Sequence, residues 1–283
     1  MNSFLKVNRL FLFLIFCLGT TPLWAGPADW SFLPGGTVFK PFIGDPQEPL
    51  TGIISYLNEV NYVGQVGGTL EMVRYSPSDG AQFGWGLFGS GYILLGQDGA
   101  TFPMQAANWF VGTYFSAAID DLSFKVGALH ESAHLGDSLE NIQIPFFYSR
   151  ENIHCALSWQ PSDYCRFYGG MGDWVDINPT GDPFFAFMGT ELYSPYWLID
   201  HSAMRAYVTA HFQYKAEVPT LNGIPQLGLD WVEEYQIGLQ WKSTVNNSRD
   251  IRIAFLYYNG PNAFGQLYYQ PDNHIALATF FDF

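Results

Sequence analysis

The sequence predicts an all-β fold, a transmembrane antiparallel up-and-down β-barrel of about twelve strands, and three observations carry that prediction. Apolar and polar residues alternate: Met204, Ala206, Val208, Ala210, Phe212 and Tyr214 interleave with Arg205, Thr209, His211, Gln213 and Lys215, and residues two apart on a strand share a face. The alternating segments are long. Gln82 to Leu95, Ala107 to Ile119, Leu122 to His134 and Ala203 to Glu217 exceed the roughly five or six residues of a soluble strand and match the roughly ten that cross a bilayer at a tilt. Aromatic residues gather near segment ends, as the two interfaces of a membrane barrel require.

Composition agrees. The 283 residues hold 25 Phe, 17 Tyr and 9 Trp against 12 Lys and Arg and 26 Asp and Glu, which excludes disorder. Twenty-nine Gly and 17 Pro oppose a mainly helical chain. The net charge of −14 repels phosphate backbones, so nucleic acid is not an expected partner.

In order along the chain, residues 1–25 read as a signal peptide: Lys6 and Arg9, the apolar run Leu10 to Leu18, then Leu23-Trp24-Ala25 before Gly26. Cys17 would leave with it. No later apolar run reaches eighteen residues, so a membrane protein must span with strands. Residues 26–50 form an N-terminal periplasmic lead segment and 51–283 the barrel. Its strands are expected near 51–59, 67–75, 82–95, 107–119, 122–134, 147–159, 164–174, 184–193, 203–217, 230–243, 250–259 and 274–283. An even count returns both ends to one side. Short links such as Asp120-Asp121 and Gln160 to Asp163 would be periplasmic, and the longer 135–146, 175–183 and 260–273 external. Cys155 and Cys165 flank the Gln160 to Asp163 turn signal; either a disulfide or two small side chains on one outer face fits. Inward-facing Arg205, Lys215, Lys242 and Arg252 beside Glu191, Glu234 and Asp282 would line a pore or fill a small barrel with salt bridges.

The chemistry centres on Leu129-His130-Glu131-Ser132-Ala133-His134-Leu135-Gly136-Asp137. His130-Glu131-x-x-His134 matches a zinc-protease pattern, but that chemistry needs a helix to bring both imidazoles to one metal. The preceding Leu122 to Ala128 alternates, and on a strand the histidines stand roughly 13 Å apart at about 3.3 Å per residue. The zinc reading is rejected. On a strand the useful pair is His130 and Ser132, on one face and roughly 6.6 Å apart along the backbone. They share the face of Phe124, Val126 and Ala128, so they point at lipid near the outer-leaflet end of the apolar band. Glu151 is the first choice for the residue that fixes the imidazole tautomer, Asp137 the alternative. Backbone N–H groups near Gly136 are the expected oxyanion donors.

This spacing resembles the His-x-Ser element of outer-membrane phospholipase A and lipid A deacylase, barrels whose catalytic pair faces the membrane; here Ala133-His134 follows where they have Asn-Gly. A longer resemblance runs through Phe32-Leu33-Pro34-Gly35-Gly36-Thr37-Val38-Phe39-Lys40-Pro41, Asp45-Pro46, Gly67 to Arg74, and His130-x-Ser132-x-His134-Leu135-Gly136-Asp137. These blocks look like the uncharacterised exported family known as domain of unknown function 1207, which implies a Gram-negative-type envelope protein. The closing series Ile275, Leu277, Thr279, Phe281, Phe283 resembles the C-terminal strand signal of bacterial outer-membrane proteins, which implies delivery to the outer-membrane assembly machinery. The expected function is lipid acyl-ester hydrolysis, with membrane lipid or lipopolysaccharide as partner, by a monomer or homodimer. The alternative is a non-enzymatic barrel, a narrow pore or a structural envelope protein. No cofactor is expected, although Asp173, Asp176 and Asp182 could hold a divalent cation.

Overall fold

The computed structural model describes residues 29–140, 147–178, 183–199, 202–215, 220–221, 224–225, 231–243 and 250–282. Among them, twelve strands close an antiparallel ring in which every strand pairs with its sequence neighbours. They are β1 (Thr51–Tyr56), β2 (Asn61–Ser76), β3 (Gln82–Gly96), β4 (Met104–Ile119), β5 (Leu122–Leu135), β6 (Tyr148–Ser162), β7 (Cys165–Asn178), β8 (Phe184–Tyr193), β9 (Ser202–Lys215), β10 (Trp231–Ser243), β11 (Asp250–Pro261) and β12 (Pro271–Asp282). β12 closes the ring on β1, from Ala276 opposite Tyr56 to Phe281 opposite Thr51. Closure leaves no open sheet edge along the wall, the condition for spanning a medium without hydrogen-bond partners. No helix of the described residues is long and apolar enough to cross a membrane.

The period-two pattern decides which face looks where. On β10, Glu234, Gln236 and Gln240 are buried inside while Tyr235 and Ile237 are exposed outside; on β9, Thr209 and His211 are buried and Val208 is exposed. The same inversion holds for Val66 and Leu70, Trp109 and Val111, Leu157 and Trp159, and Ile275 and Leu277, all exposed. A globule in water buries such residues. The outward wall is therefore the apolar one, as a lipid-spanning barrel needs.

The lumen is filled. Val38 to Leu50 of the lead segment runs inside the ring, read largely through its backbone. Val38 N–H donates to Glu71 Oε2 (2.7 Å), Arg166 donates to the carbonyls of Pro41 (2.8 Å) and Lys40 (2.7 Å), and Ile43 N–H donates to Glu191 Oε1 (2.9 Å). Gln236 Nε2 donates to Ile43 O (2.9 Å) and the Tyr92 hydroxyl to Glu48 O. Phe42 stacks on Tyr168 with ring centroids 4.2 Å apart, and Lys125 Nζ lies 5.0 Å from the Phe39 and Phe42 rings. Gly44 meets the wall where a Cβ would lie 2.9 Å from Thr209 Oγ1, so a larger residue there would push the segment off. From the other end, the 262–270 link turns inward: Asn108 Nδ2 donates to Ala263 O (3.1 Å), Gly265 N–H donates to Asn108 Oδ1 (3.0 Å), and Phe264 and Leu267 are buried.

These insertions explain where the inner face departs from a polar lining. Leu50, Phe264 and Leu267 pack in one apolar cluster with Tyr92, Leu94, Phe110, Leu256 and Phe280. Ion pairs occupy part of the rest: Arg166 with Glu191, both buried (3.2 Å), buried Glu71 with Arg74 (2.6 Å), and buried Arg252 with the partly exposed Asp282 (2.9 Å). Filling by salt bridges thus holds for Arg252, while Arg205 donates to Gln240 Oε1 (2.7 Å) instead. Two residual spaces along the lead segment measure about 100 and 40 Å³, and a more open space of about 560 Å³ lies at the end of the ring that Val38, Lys40, Asp120, Asp121 and Arg166 line.

Two local expectations are corrected. β6 continues to Ser162, so the turn is Asp163-Tyr164 rather than Gln160 to Asp163. The pairing register then sets Cys155 opposite Met171 and Cys165 opposite Ser162, and both thiols are free. The signal peptide, Phe283 and Asp182 lie outside the described residues.

Candidate functional site

β5 alternates strictly, so His130, Ser132 and His134 share the outward face and Glu131, Ala133 and Leu135 the inward one. Its register with β6 sets His130 opposite Glu151 and Ser132 opposite Ser149; its register with β4 sets Val111 opposite His130 and Trp109 opposite Ser132. Directly paired side chains on one face have Cβ atoms roughly 4.5–5.5 Å apart. His130 and Glu151 make use of that proximity. The imidazole Nδ1 lies 2.8 Å from Glu151 Oε1, with the two side chains 43 % and 39 % exposed. A carboxylate only accepts, so Nδ1 is the donor, and in the neutral imidazole this tautomer leaves Nε2 as the acceptor for an incoming hydroxyl.

Just beyond the pair, β7 carries an extra residue, Val175, so that Glu151 faces Asp176 while Asn152 faces Trp174. Such bulges re-aim side chains and recur beside functional sites. Below the pair the outward face of β5 is apolar through Ala128, Val126, Phe124 and Leu122, and that of β6 through Ile153, Cys155, Leu157 and Trp159. The polar group therefore stands at one end of the apolar wall, on the side of the 136–147 link.

The remaining sequence-derived residues divide. Ser132 sits two residues from His130 on the same face, half-buried, and makes no hydrogen bond to it among the described residues. Asp137 is exposed at the start of the turn Asp137–Glu140, beyond the end of β5, so Glu151 and not Asp137 is the partner of His130. Gly136 does not serve as an oxyanion donor: its N–H already donates to Gln105 O at 2.7 Å, and a Cβ there would lie 2.1 Å from Met104 O. Glu131 turns into the lumen, where it accepts from Asn108 Nδ2 (3.0 Å) and the Tyr148 hydroxyl (3.4 Å). The middle residue of the zinc-like motif is thus on the opposite side of the wall from both histidines. Asp173 and Asp176 are exposed on β7, and no group of three metal-ligating side chains occurs among the described residues.

Sequence reasoning placed Glu191 inside without its role as an anchor of the lead segment, and missed the lumenal anchors Glu71, Arg166 and Gln236. Their only signal was an excess of inward acids and arginines, which demand partners when buried. It also missed Trp109 as the neighbour of Ser132, because cross-strand register is not written in either strand alone.

Comparison with curated proteins gives no match. Comparison with protein families matches residues 24–283 to the family described as Protein of unknown function (DUF1207). That span covers the lead segment, the whole ring and the outward His130–Glu151 pair, and the chain belongs to the DUF1207 family.

Proposed function

We propose that this protein is an outer-membrane barrel, exported through residues 1–25, that hydrolyses acyl esters of membrane lipid or lipopolysaccharide at the outer leaflet. The observation that carries the proposal is the His130 Nδ1–Glu151 Oε1 hydrogen bond on the outward face, two residues from a serine hydroxyl. Placing an ionisable pair against an apolar wall costs free energy that its own hydrogen bond only partly offsets, and ionisable groups held at such a cost cluster at functional sites. In the reaction, Ser132 Oγ attacks the ester carbonyl and passes its proton to His130 Nε2, while Glu151 holds the Nδ1 proton and steadies the imidazolium. The leaving alcohol takes that proton, and water then frees the acyl group from Ser132 by the same route. With Gly136 engaged elsewhere, Ser149 opposite Ser132 offers a hydroxyl donor to the oxyanion. Catalytic hydrogen bonds often tighten only with substrate bound. The filled lumen fits a barrel that works on its outside.

A second reading, a non-enzymatic structural barrel, is favoured by the separation of Ser132 from His130. Fatty-acid release from lipid vesicles by the folded wild type, Ser132→Ala and Glu151→Gln decides between them. Hydrolysis predicts loss of release in Ser132→Ala and a drop of about 10²-fold or more in Glu151→Gln. Equal release from all three removes the proposal.

A further inference from the structure

The large side chain paired directly with Ser132 on the outward face belongs to β4. Trp109 stands opposite it on β4, and an indole that leaned toward β5 would cover the hydroxyl. It leans the other way. On its far side β3 presents Gly91, directly paired with Trp109, and a Cβ built on Gly91 would lie 2.6 Å from Trp109 Cζ3, 2.9 Å from Cε3 and 3.2 Å from Cη2. The ring therefore occupies the space that any other residue at 91 would fill. Gly89, two residues along, leaves its outward side open, with no side-chain atom near the position of a Cβ. Trp85 is likewise laid across the wall, its Nε1 donating to Thr113 Oγ1 at 3.0 Å. Between the two indoles, the outward surface carries Gly89 and Val111 in register with His130, then Leu87, Thr113 and Ala128 one pair further on.

From this geometry we infer that Gly91 and Trp109 set access to Ser132. Gly91 is a positioning residue that parks the indole, and Trp109 borders an apolar strip over Gly89, Val111 and Ala128 that takes the acyl chain of the ester. This rests on the ester-hydrolase reading for its substrate class, but not for the access it describes. Gly89 and Val111 lie level with His130, and Ala128 lies one pair further into the apolar wall, where Leu87 continues the outward surface, so the strip suits a long acyl chain anchored in the membrane rather than a short soluble ester.

The test separates access from catalysis. In a background with Cys17, Cys155 and Cys165 replaced by Ala, Ser132→Cys is labelled with a maleimide in the folded barrel. Gly91→Ala should slow labelling at least fivefold by driving the indole over residue 132, and Trp109→Ala added to it should restore the rate, because no ring remains to be displaced. A merely structural effect of Gly91→Ala would not be rescued in this way. With Ser132 present, the wild type should prefer sixteen-carbon over four-carbon esters, and Trp109→Ala should lose at least half of that preference. Unchanged labelling in Gly91→Ala, or slowing that Trp109→Ala does not relieve, overturns the inference on access. A chain-length preference untouched by Trp109→Ala overturns the acyl-strip assignment. Ester hydrolysis that persists in Ser132→Ala overturns the hydrolase reading and leaves the labelling result standing on its own.

Discussion

Glu48 offers a prediction whose sign and size both follow from its surroundings. It lies in the lead segment inside the ring, 5 % exposed. Burial raises its carboxyl from the ordinary 4.5 to about 7; Lys125 opposes the shift and Asp45 adds to it, with Arg166 a smaller opposing charge. A carboxyl that holds its proton more tightly in the folded state stabilises that state fully below its unfolded value, and the contribution fades as pH rises through the folded one. The window is therefore about pH 4.5 to 7, with stability falling as pH rises. At about 1.4 kcal/mol per unit, the wild type should lose about 3 kcal/mol across it from this group. Glu48→Gln, an uncharged isostere, should remove that slope. The measurement is urea unfolding of the refolded barrel in detergent micelles at pH 5, 6, 7 and 8, read as wild type minus variant so that other titrating groups cancel. A difference that stays flat, or that grows in favour of the wild type toward pH 8, refutes the assignment of a proton to Glu48 in the lumen.

Two further outcomes test the interior. Arg166→Ala strands Glu191, which is 1 % exposed, and frees the carbonyls of Lys40 and Pro41; removing one partner of a buried pair should cost about 3–5 kcal/mol, and a urea midpoint equal to wild type would show that the lead segment is held by something else. Asn108→Ala removes two of the hydrogen bonds that hold the 262–270 link inward and leaves Gln266 Nε2 on Ala133 O (3.0 Å), so limited proteolysis should cut at that link faster in the variant than in the wild type, while the ring itself stays resistant.

The wall was legible because alternation is a local signal. Every strand of a closed ring with an apolar outer and a packed inner face must repeat with period two, and Met204 to Lys215 or Tyr235 to Trp241 state it within a dozen residues. Boundaries were harder: β2 extends back to Asn61 through Gly64, Gly67 and Gly68, where glycines blur the pattern. Parity also sufficed for the candidate site, since His130, Ser132 and Glu151 each fall on the outward series of their strands. The lead segment was not legible. Val38 to Leu50 has no period because it forms no ladder; its fit is set by side chains from β2, β7, β8 and β10, far apart in sequence. Of the two readings of Cys155 and Cys165, the one without a disulfide holds, for a related reason: one displaced turn residue changes every pairing along a hairpin.

The two unusual features of the molecule bear on each other. A barrel of twelve strands whose lumen holds its own lead segment, an inward-turned link and inward ion pairs resists deformation, because each insertion ties several strands together. The outward pair depends on that resistance. His130 and Glu151 come from different strands, and a 2.8 Å hydrogen bond between them survives only if the register of β5 and β6 is fixed. Behind these two strands the lumen carries Glu131, Asn108 and Tyr148 in one hydrogen-bonded group, joining β4, β5 and β6 directly beneath the outward site. Rigid support of this kind is what a positioned imidazole needs. The inward face thus supplies the precision on which outward chemistry would draw, so loosening the lumen through Asn108 should also weaken whatever reaction the outer face performs.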